Sequence, residues 1–457
     1  MRAGAIRTAL TIFPFVQRVV RRWLVLLNAT LVVVAVVLIA SGDTRAYLLL
    51  AGVPIVFVPF SYARWRLHRT LLAELGDGRP RLAAAIAIAG IVLDVVLLAQ
   101  LITARGPAAA LVNGPVVGWI GPVWFSAHAL LLLGYGVVGL VRLVRRGIAW
   151  AWAALRPAPE GLRTPAEDTE LLGRREFLQR AGVAGAALPF AAAFSGVPLS
   201  YDFRVEHRTL VVPGWPKRLD GLRVVHLSDI HVGGNMTRER LLRIAELTNA
   251  AKPDLVAHTG DFLTHRSGDF DLPLYEALAR VRAPLGQWAC LGNHDYDDPD
   301  RIVRRLGDAG VVVLRNGRDR IVVDGEPLEV AGADFVFSPT RRTDVYAALA
   351  QAWGPRDGGA RLLLNHDPSA FASLPDDVAN LVLSGHTHGG HVGIQLGPEQ
   401  AITVVGLLGI PDQGVFARGD MRLFVTRCVG FYGYPMRVGI PPEIAVLTLR
   451  SAGAERA

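Results

Sequence analysis

Five short apolar runs in the second half of this 457-residue chain each stop at a cluster of histidine, aspartate or asparagine. The clusters are Ser228-Asp229-Ile230-His231, Gly260-Asp261, Gly292-Asn293-His294-Asp295, Asn365-His366-Asp367 and Gly385-His386-Thr387-His388. Short apolar runs bounded by polar turns read as buried strands, and the amphipathic segments between them read as helices, which makes this half an α/β domain. Strands are expected over 222–227, 254–258, 287–291, 328–331, 361–364, 380–383 and 444–449. Strand ends fix the backbone and can aim several side chains into one crevice. Glycines beside the polar residues permit sharp turns and close approach there.

The residue types in those clusters are the donors that divalent metal ions prefer: carboxylates, one of them free to bridge, imidazoles and an amide oxygen. No cysteine occurs in any cluster, which argues against a structural thiolate zinc site. Each cluster alone is common, but five in this order, each at a strand end, form a strong signal.

From 222 to 449 the sequence resembles the calcineurin-like metallophosphoesterase superfamily. Its subfamily resembles the exported bacterial members similar to UDP-2,3-diacylglucosamine pyrophosphohydrolases, on His386-Thr387-His388-Gly389-Gly390 and Pro441-Pro442-Glu443-Ile444. The resemblance implies a four-layer α/β sandwich of two mixed sheets packed face to face with helices outside. It implies that Asp229, His231 and His388 hold one metal ion, that Asn293, His366 and His386 hold a second, and that Asp261 bridges them. His294 is then an acid or electrostatic helper beside the substrate. The implied cofactors are two divalent ions of the manganese, iron or zinc type. The implied reaction is hydrolysis of a phosphodiester, phosphomonoester or pyrophosphate by in-line attack of a metal-bridging hydroxide. Two positions depart from the family pattern: His391, where Gln is general, and Cys428, where small residues are usual. A non-catalytic metal-containing binding or sensor domain is the competing functional class, and the eight intact site positions weigh against it.

The first half is of another kind. With 51% hydrophobic residues, the chain is rich in apolar side chains for a wholly soluble protein. Up to Arg180 there are 20 basic residues against 9 acidic, whereas the remainder has 28 against 31, so the net charge of +8 belongs to the N-terminal part and lends no support to nucleic-acid binding. Four membrane spans are expected, over 23–40, 46–62, 82–104 and 119–141, each close to the ~20 residues that cross a bilayer. Arginines cluster before the first, between the second and third, and after the fourth, which puts the N-terminus in the cytoplasm. Asp94 and His128 fall within these spans and are read as pairing inside the bundle.

After a polar linker from 156 comes Arg174-Arg175-Glu176-Phe177-Leu178, then an apolar run over 181–199 that contains Ala191-Ala192-Ala193. This arrangement resembles a twin-arginine export signal, with the twin-arginine machinery as the implied partner; an ordinary fifth span is the alternative. The expected organisation is a four-span domain over 1–155, a linker and signal over 156–200, and a phosphoesterase domain over 201–457. The catalytic domain of such a multi-pass protein is extracytoplasmic, its expected partners being the membrane and a phosphorylated envelope or lipid-linked substrate. Cys290 and Cys428 are read as buried free thiols. His226 and His258 are read as core residues, His207 and His265 as surface ones, Asp295 as an acceptor orienting His294, and Arg427 and Arg437 as unlikely to bind substrate phosphate.

Overall fold

The computed structural model describes residues 18–33, 58–75, 80–103, 120–155 and 188–452, apart from 234–235, 265–270, 357–358, 399 and 433–435. The chain divides into two compact units, Met1–Ser195 and Gly196–Ala457.

In the first unit, helices run over 18–33, Val58–Leu75, Pro80–Thr103 and Ile120–Leu155. Among the described residues no helix is long and apolar enough to cross a membrane, so the four-span expectation is not upheld. The basic stretch expected to connect two spans is itself helical, carrying Arg64, Arg66 and Arg69 within Val58–Leu75. The helix Ile120–Leu155 likewise continues through Arg142, Arg145 and Arg146. Residues 34–57, which hold parts of the first and second expected spans, lie outside the described residues, as do Arg174 and Arg175 of the export motif.

Polar groups are buried inside this unit. The Asp94 carboxylate accepts the indole N–H of Trp23 at 3.0 Å and of Trp124 at 2.7 Å, and the Arg64 guanidinium lies 3.8 Å away. His128 Nδ1 meets the Trp124 carbonyl at 2.8 Å. Asp94 and His128 therefore do pair inside the bundle, but with indoles, an arginine and a backbone carbonyl. Along the outer surface, Val137, Val138, Leu140, Val141, Leu143 and Val144 are exposed.

The second unit runs β1 (Arg204–Val212), β2 (Arg223–Leu227), β3 (Leu255–His258), β4 (Gln287–Ala289), β5 (Val311–Val313), β6 (Gly317–Val323) and β7 (Glu326–Ala333). It continues with β8 (Ala360–Asn365), β9 (Leu381–Ser384), β10 (Gly393–Gln395), β11 (Ala401–Thr403), β12 (Gly414–Arg418), β13 (Met421–Val425) and β14 (Glu443–Ser451). All seven expected strands are present. One mixed sheet has the order β1-β14-β2-β3-β4-β5, the other β12-β13-β9-β8-β7-β6, and β10-β11 form a separate ribbon.

Side chains alternate across each strand, so each sheet has two faces to bury. Val224, Ala257, Ala445 and Leu447 of the first sheet join Val330, Leu362, Leu383 and Phe424 of the second in one buried cluster. Val225, Val256, Ile444 and Val446 face the other way, against the helices Arg238–Ala250, Leu272–Leu278 and Pro299–Asp308. The helix Arg238–Ala250 shows why these segments fold as they do. Thr237 caps it by accepting the Arg240 N–H, and its buried Leu241, Ile244, Ala245 and Thr248 recur at helical spacing. Beyond the second sheet, Tyr346 and Trp353 of the helix Arg342–Trp353 cover Leu363, Val382 and Leu423. The result is two mixed sheets flanked by helices, as expected.

Candidate metal centre

Strands β2, β3 and β4 lie side by side and parallel in one sheet, and β8 and β9 do so in the other. Each expected site residue lies just beyond the C-terminal end of one of these five strands. Asp229 Oδ1 lies 3.2 Å from His388 Nε2 and 3.7 Å from His231 Nε2. His366 Nε2 lies 3.2 Å from Asn293 Oδ1 and 3.0 Å from His386 Nδ1. Between the two groups stands Asp261, whose Oδ2 is 3.4 Å from His231 Nε2 and 3.4 Å from His366 Nε2. Its other oxygen, Oδ1, accepts the backbone N–H of His294 at 2.8 Å.

Local backbone geometry is unusual here. Asp229, His231, Asp261, His386 and His388 all have φ between 51° and 66°, a region that costs a non-glycine residue energy and persists where the surroundings impose it. Their glycine neighbours explain how the turns close. A Cβ on Gly385 would stand 2.0 Å from Ser228 Oγ and 2.2 Å from Asp229 Oδ2, and one on Gly292 would stand 2.2 Å from Asp261 Oδ1.

Oδ2 of Asp229 is saturated: it accepts Ser228 Oγ–H at 2.5 Å, the His386 N–H at 2.9 Å and the Cys428 thiol at 3.1 Å. Oδ1 of Asp229 and both ring nitrogens of His231 are buried without a hydrogen bond, which is costly unless another partner completes them. Three sets of side chains could hold a metal ion: Asp229 with His231 and Asp261, Asp261 with His366 and His386, and Asp229 with His388 and Cys428. The electrostatics agree. His366 is pushed up to about 10, because the carboxylates of Asp261 and Asp229 outweigh the burial that opposes its charge. Burial holds His388 down to about 4 and lowers His386, leaving both as neutral imidazoles able to act as ligands. An anionic centre that draws a proton onto one imidazole suits a cation, and the donor set fits one.

A cavity of about 600 Å³ opens over this cluster, lined by His294, Asp367, Ser369, Thr387, His391 and Tyr432 among others. The rings of His294, His231 and Tyr432 cluster together, His294 lying 5.2 Å from His231 and 4.4 Å from Tyr432, and His231 5.5 Å from Tyr432.

The remaining sequence expectations are resolved by their contacts. His226 is buried and pairs with Thr259 Oγ1 at 2.8 Å, and His258 is buried beside Gln287 Oε1 at 3.2 Å. His207 is exposed, while His265 lies outside the described residues. Cys290 and Cys428 are both free and buried. Arg427 is taken up by Glu206 and Glu443. Arg437 is wholly buried and donates to the carbonyls of His388 and Gly430.

Asp295 differs from expectation. Its carboxylate accepts the backbone N–H groups of Asp261, Phe262, Leu263 and Gly292 rather than the ring of His294. It organises the turn that carries Asp261. Sequence reasoning passed over Ser228 and Tyr432; for Ser228 the signal was its place beside Asp229, and for Tyr432 no pattern marked it.

Residues 222–390 match the family model described as calcineurin-like phosphoesterase. The uncharacterized metallophosphoesterase YkuE of Bacillus subtilis is 31% identical over 294 residues, which is 61% of this chain and 98% of that protein. The chain belongs to the calcineurin-like phosphoesterases. This metallophosphoesterase is therefore a hydrolase acting on phosphoester bonds. It is also 33% identical over 253 residues to a zebrafish (Danio rerio) protein named a transmembrane protein with metallophosphoesterase domain, covering 52% of this chain and 55% of that one. A UDP-2,3-diacylglucosamine pyrophosphatase, LpxG of Chlamydia muridarum, is 25% identical over 285 residues, covering 50% of the metallophosphoesterase and 84% of LpxG.

Proposed function

We propose that this protein is a dinuclear-metal phosphoesterase attached to a membrane, with Asp229, His231 and His388 holding one divalent cation, Asn293, His366 and His386 the other, and Asp261 bridging the two. The observation that carries this reading is the position of one Asp261 oxygen, 3.4 Å from an imidazole nitrogen of each group. Two bound cations of the manganese, iron or zinc type supply Lewis acidity toward the phosphoryl oxygens and a nucleophile from water at neutral pH. The chain's own residues do the positioning. Ser228, the His386 N–H and Cys428 fix one oxygen of Asp229 and thereby turn the other toward His231 and His388. The His294 N–H does the same for Asp261. The His294 ring lines the cavity over the cluster, and it is the group we assign to donate a proton to the leaving oxygen.

Membrane attachment is supported by the first unit, in which Asp94, Arg64 and His128 are buried while a run of aliphatic residues on the helix Ile120–Leu155 is exposed. The names of the zebrafish relative and of a cattle (Bos taurus) relative, 28% identical over 255 residues, point the same way. An extracytoplasmic catalytic unit rests on the twin-arginine-like motif, and the substrate we assign is a phosphorylated envelope component, lipid-linked or cell-wall-derived. LpxG, whose name specifies a diacylated pyrophosphate substrate, supports that class.

The test is hydrolysis of an aryl phosphodiester by the purified full chain. Activity is expected with added Mn²⁺ or Zn²⁺ and lost on chelation. A folded protein inactive with every divalent metal tried would instead be a metal-containing binding domain.

A further inference from the structure

The ribbon β10-β11 is folded with its polar face inward. Ile394 and Ile402 are cross-strand partners, so their side chains share one face, and Leu396 follows two residues after Ile394. All three are exposed. On the opposite face Thr403 is buried and its hydroxyl donates to Asp412 Oδ2 at 2.5 Å, while Gln395 accepts from Gln413 at 3.2 Å. A slip of one residue would bury the isoleucines, yet the ordered polar contacts hold the register that exposes them. The chain then runs into the short helix Val404–Leu407, at the end of which Leu407 and Leu408 are 77% and 72% exposed. From Gln400 through Pro411 there is no charged residue.

We propose that this ribbon and the Leu407-Leu408 tip form a surface that enters the hydrocarbon of a lipid bilayer and brings the metal site to a membrane-embedded substrate. The inference deepens the function proposed above and rests on its membrane attachment. Four observations carry it. An outward aliphatic face with a buried polar face is the arrangement expected where the surrounding medium is apolar, and the first unit shows the same inversion. The patch is purely aliphatic. Protein interfaces concentrate their binding energy in Trp, Tyr and Arg, with Leu and Val under-represented, whereas acyl chains ask only for apolar area. Leu407 and Leu408 leave most of their side-chain surface exposed, free to enter an apolar medium. The patch is also continuous with the catalytic cavity, because Val405 and Ile410 of the same loop line it. Thr387, between the candidate ligands His386 and His388, ties the two together by donating to the Asp412 carbonyl at 2.8 Å.

The experiment uses the full chain reconstituted in phosphatidylcholine vesicles, with an environment-sensitive fluorophore on a Leu408→Cys variant; the native cysteines are buried and should resist labelling. A Val322→Cys variant, on the exposed edge strand β6, is the aqueous control. We expect the probe at 408 to be quenched by lipid-borne nitroxide and shielded from iodide, with the reverse at 322. The double variant Leu407→Asp, Leu408→Asp should lose about tenfold in kcat/KM on a vesicle-embedded diacyl phosphodiester, about 1.4 kcal/mol, with a soluble aryl phosphodiester unaffected. Iodide quenching at 408 in a chain that floats with vesicles overturns this inference alone. Shielding from both quenchers, with a mass that rises with concentration, would mean that a second copy covers the patch and also overturns it. Failure of the chain to float overturns the membrane attachment as well.

Discussion

Oδ2 of Asp295 accepts the backbone N–H of Asp261 at 2.8 Å, and the same carboxylate accepts three further N–H groups from Phe262, Leu263 and Gly292. One buried side chain thus closes the turns after both β3 and β4, on which Asp261, Asn293 and His294 are carried. Asp295→Asn places an amide NH₂ against some of those donors and leaves buried N–H groups unpaired, at about 1–3 kcal/mol. Lower stability in urea, together with reduced metal content at saturating Mn²⁺, is the expected outcome; undiminished metal content would show that the turn holds its shape without the acid.

Asp261→Asn and His294→Ala separate metal holding from catalysis. The first removes the negative charge at the centre of the site, and the second leaves all seven proposed ligands in place. Metal analysis should find a deficit in Asp261→Asn only, with both variants nearly inactive. Equal metal loss would mean that the roles are wrongly divided.

Gly385→Ala tests how tightly the two sheets are stitched together. Its Cβ would fall 2.0 Å from Ser228 Oγ, in the turn after a strand of the opposite sheet. Overpacking of this kind costs about 1–3 kcal/mol, and here the strain falls on the turn that carries the proposed ligands His386 and His388. Activity should drop more steeply than the melting temperature, and a fully active variant would show that the turn can open.

Glu443 predicts a pH dependence away from the metal site. It is buried, and although burial opposes its charge, Arg427 and Arg208 hold its carboxyl below the usual range. The native state therefore keeps its charge to lower pH than the unfolded state does, and the pair's contribution is present above the unfolded value of about 4.3 and is lost as pH falls through the native one. Glu443→Gln should cost about 3–5 kcal/mol at neutral pH, since it takes the counter-charge from the buried Arg208 and leaves Arg427 with Glu206 alone. In urea titrations the gap between variant and parent should narrow below pH 4; a constant gap would place the contribution in packing.

The strands that carry the site were legible because each is an apolar run ending in a polar cluster. Strands β6 and β12 were not, since their arginines, at 318, 320 and 418, break the apolar pattern on half-exposed edge strands of the second sheet, and in the buried β13 Arg422 interrupts a run of only five residues. Strands β10 and β11 are three residues each, and their outward isoleucines contradict the rule by which strands are found. The residues that meet at the strand ends were legible from spacing and resemblance together, and their roles as ligands remain the proposal made above. The role of Asp295 was misread because proximity in sequence favoured His294, while its partners come mainly from Asp261, Phe262 and Leu263, more than thirty residues earlier. The expected spans find no support among the described residues: apolar counting does not reveal that Arg64 and Asp94 meet inside the unit, or that Arg64, Arg66 and Arg69 are helical.

Strand β14 follows every other described strand in the chain, yet it lies between β1 and β2, pairing parallel with the former and antiparallel with the latter. Synthesis must therefore pass Ser451 before the first sheet can close, and until then Asp229 hangs from a strand with an open edge. Capture of the proposed metal ions would consequently be a late event in the life of the molecule. If the proposed ions are of the manganese, iron or zinc type, the choice among them would reflect the compartment in which the finished chain folds as much as the ligands.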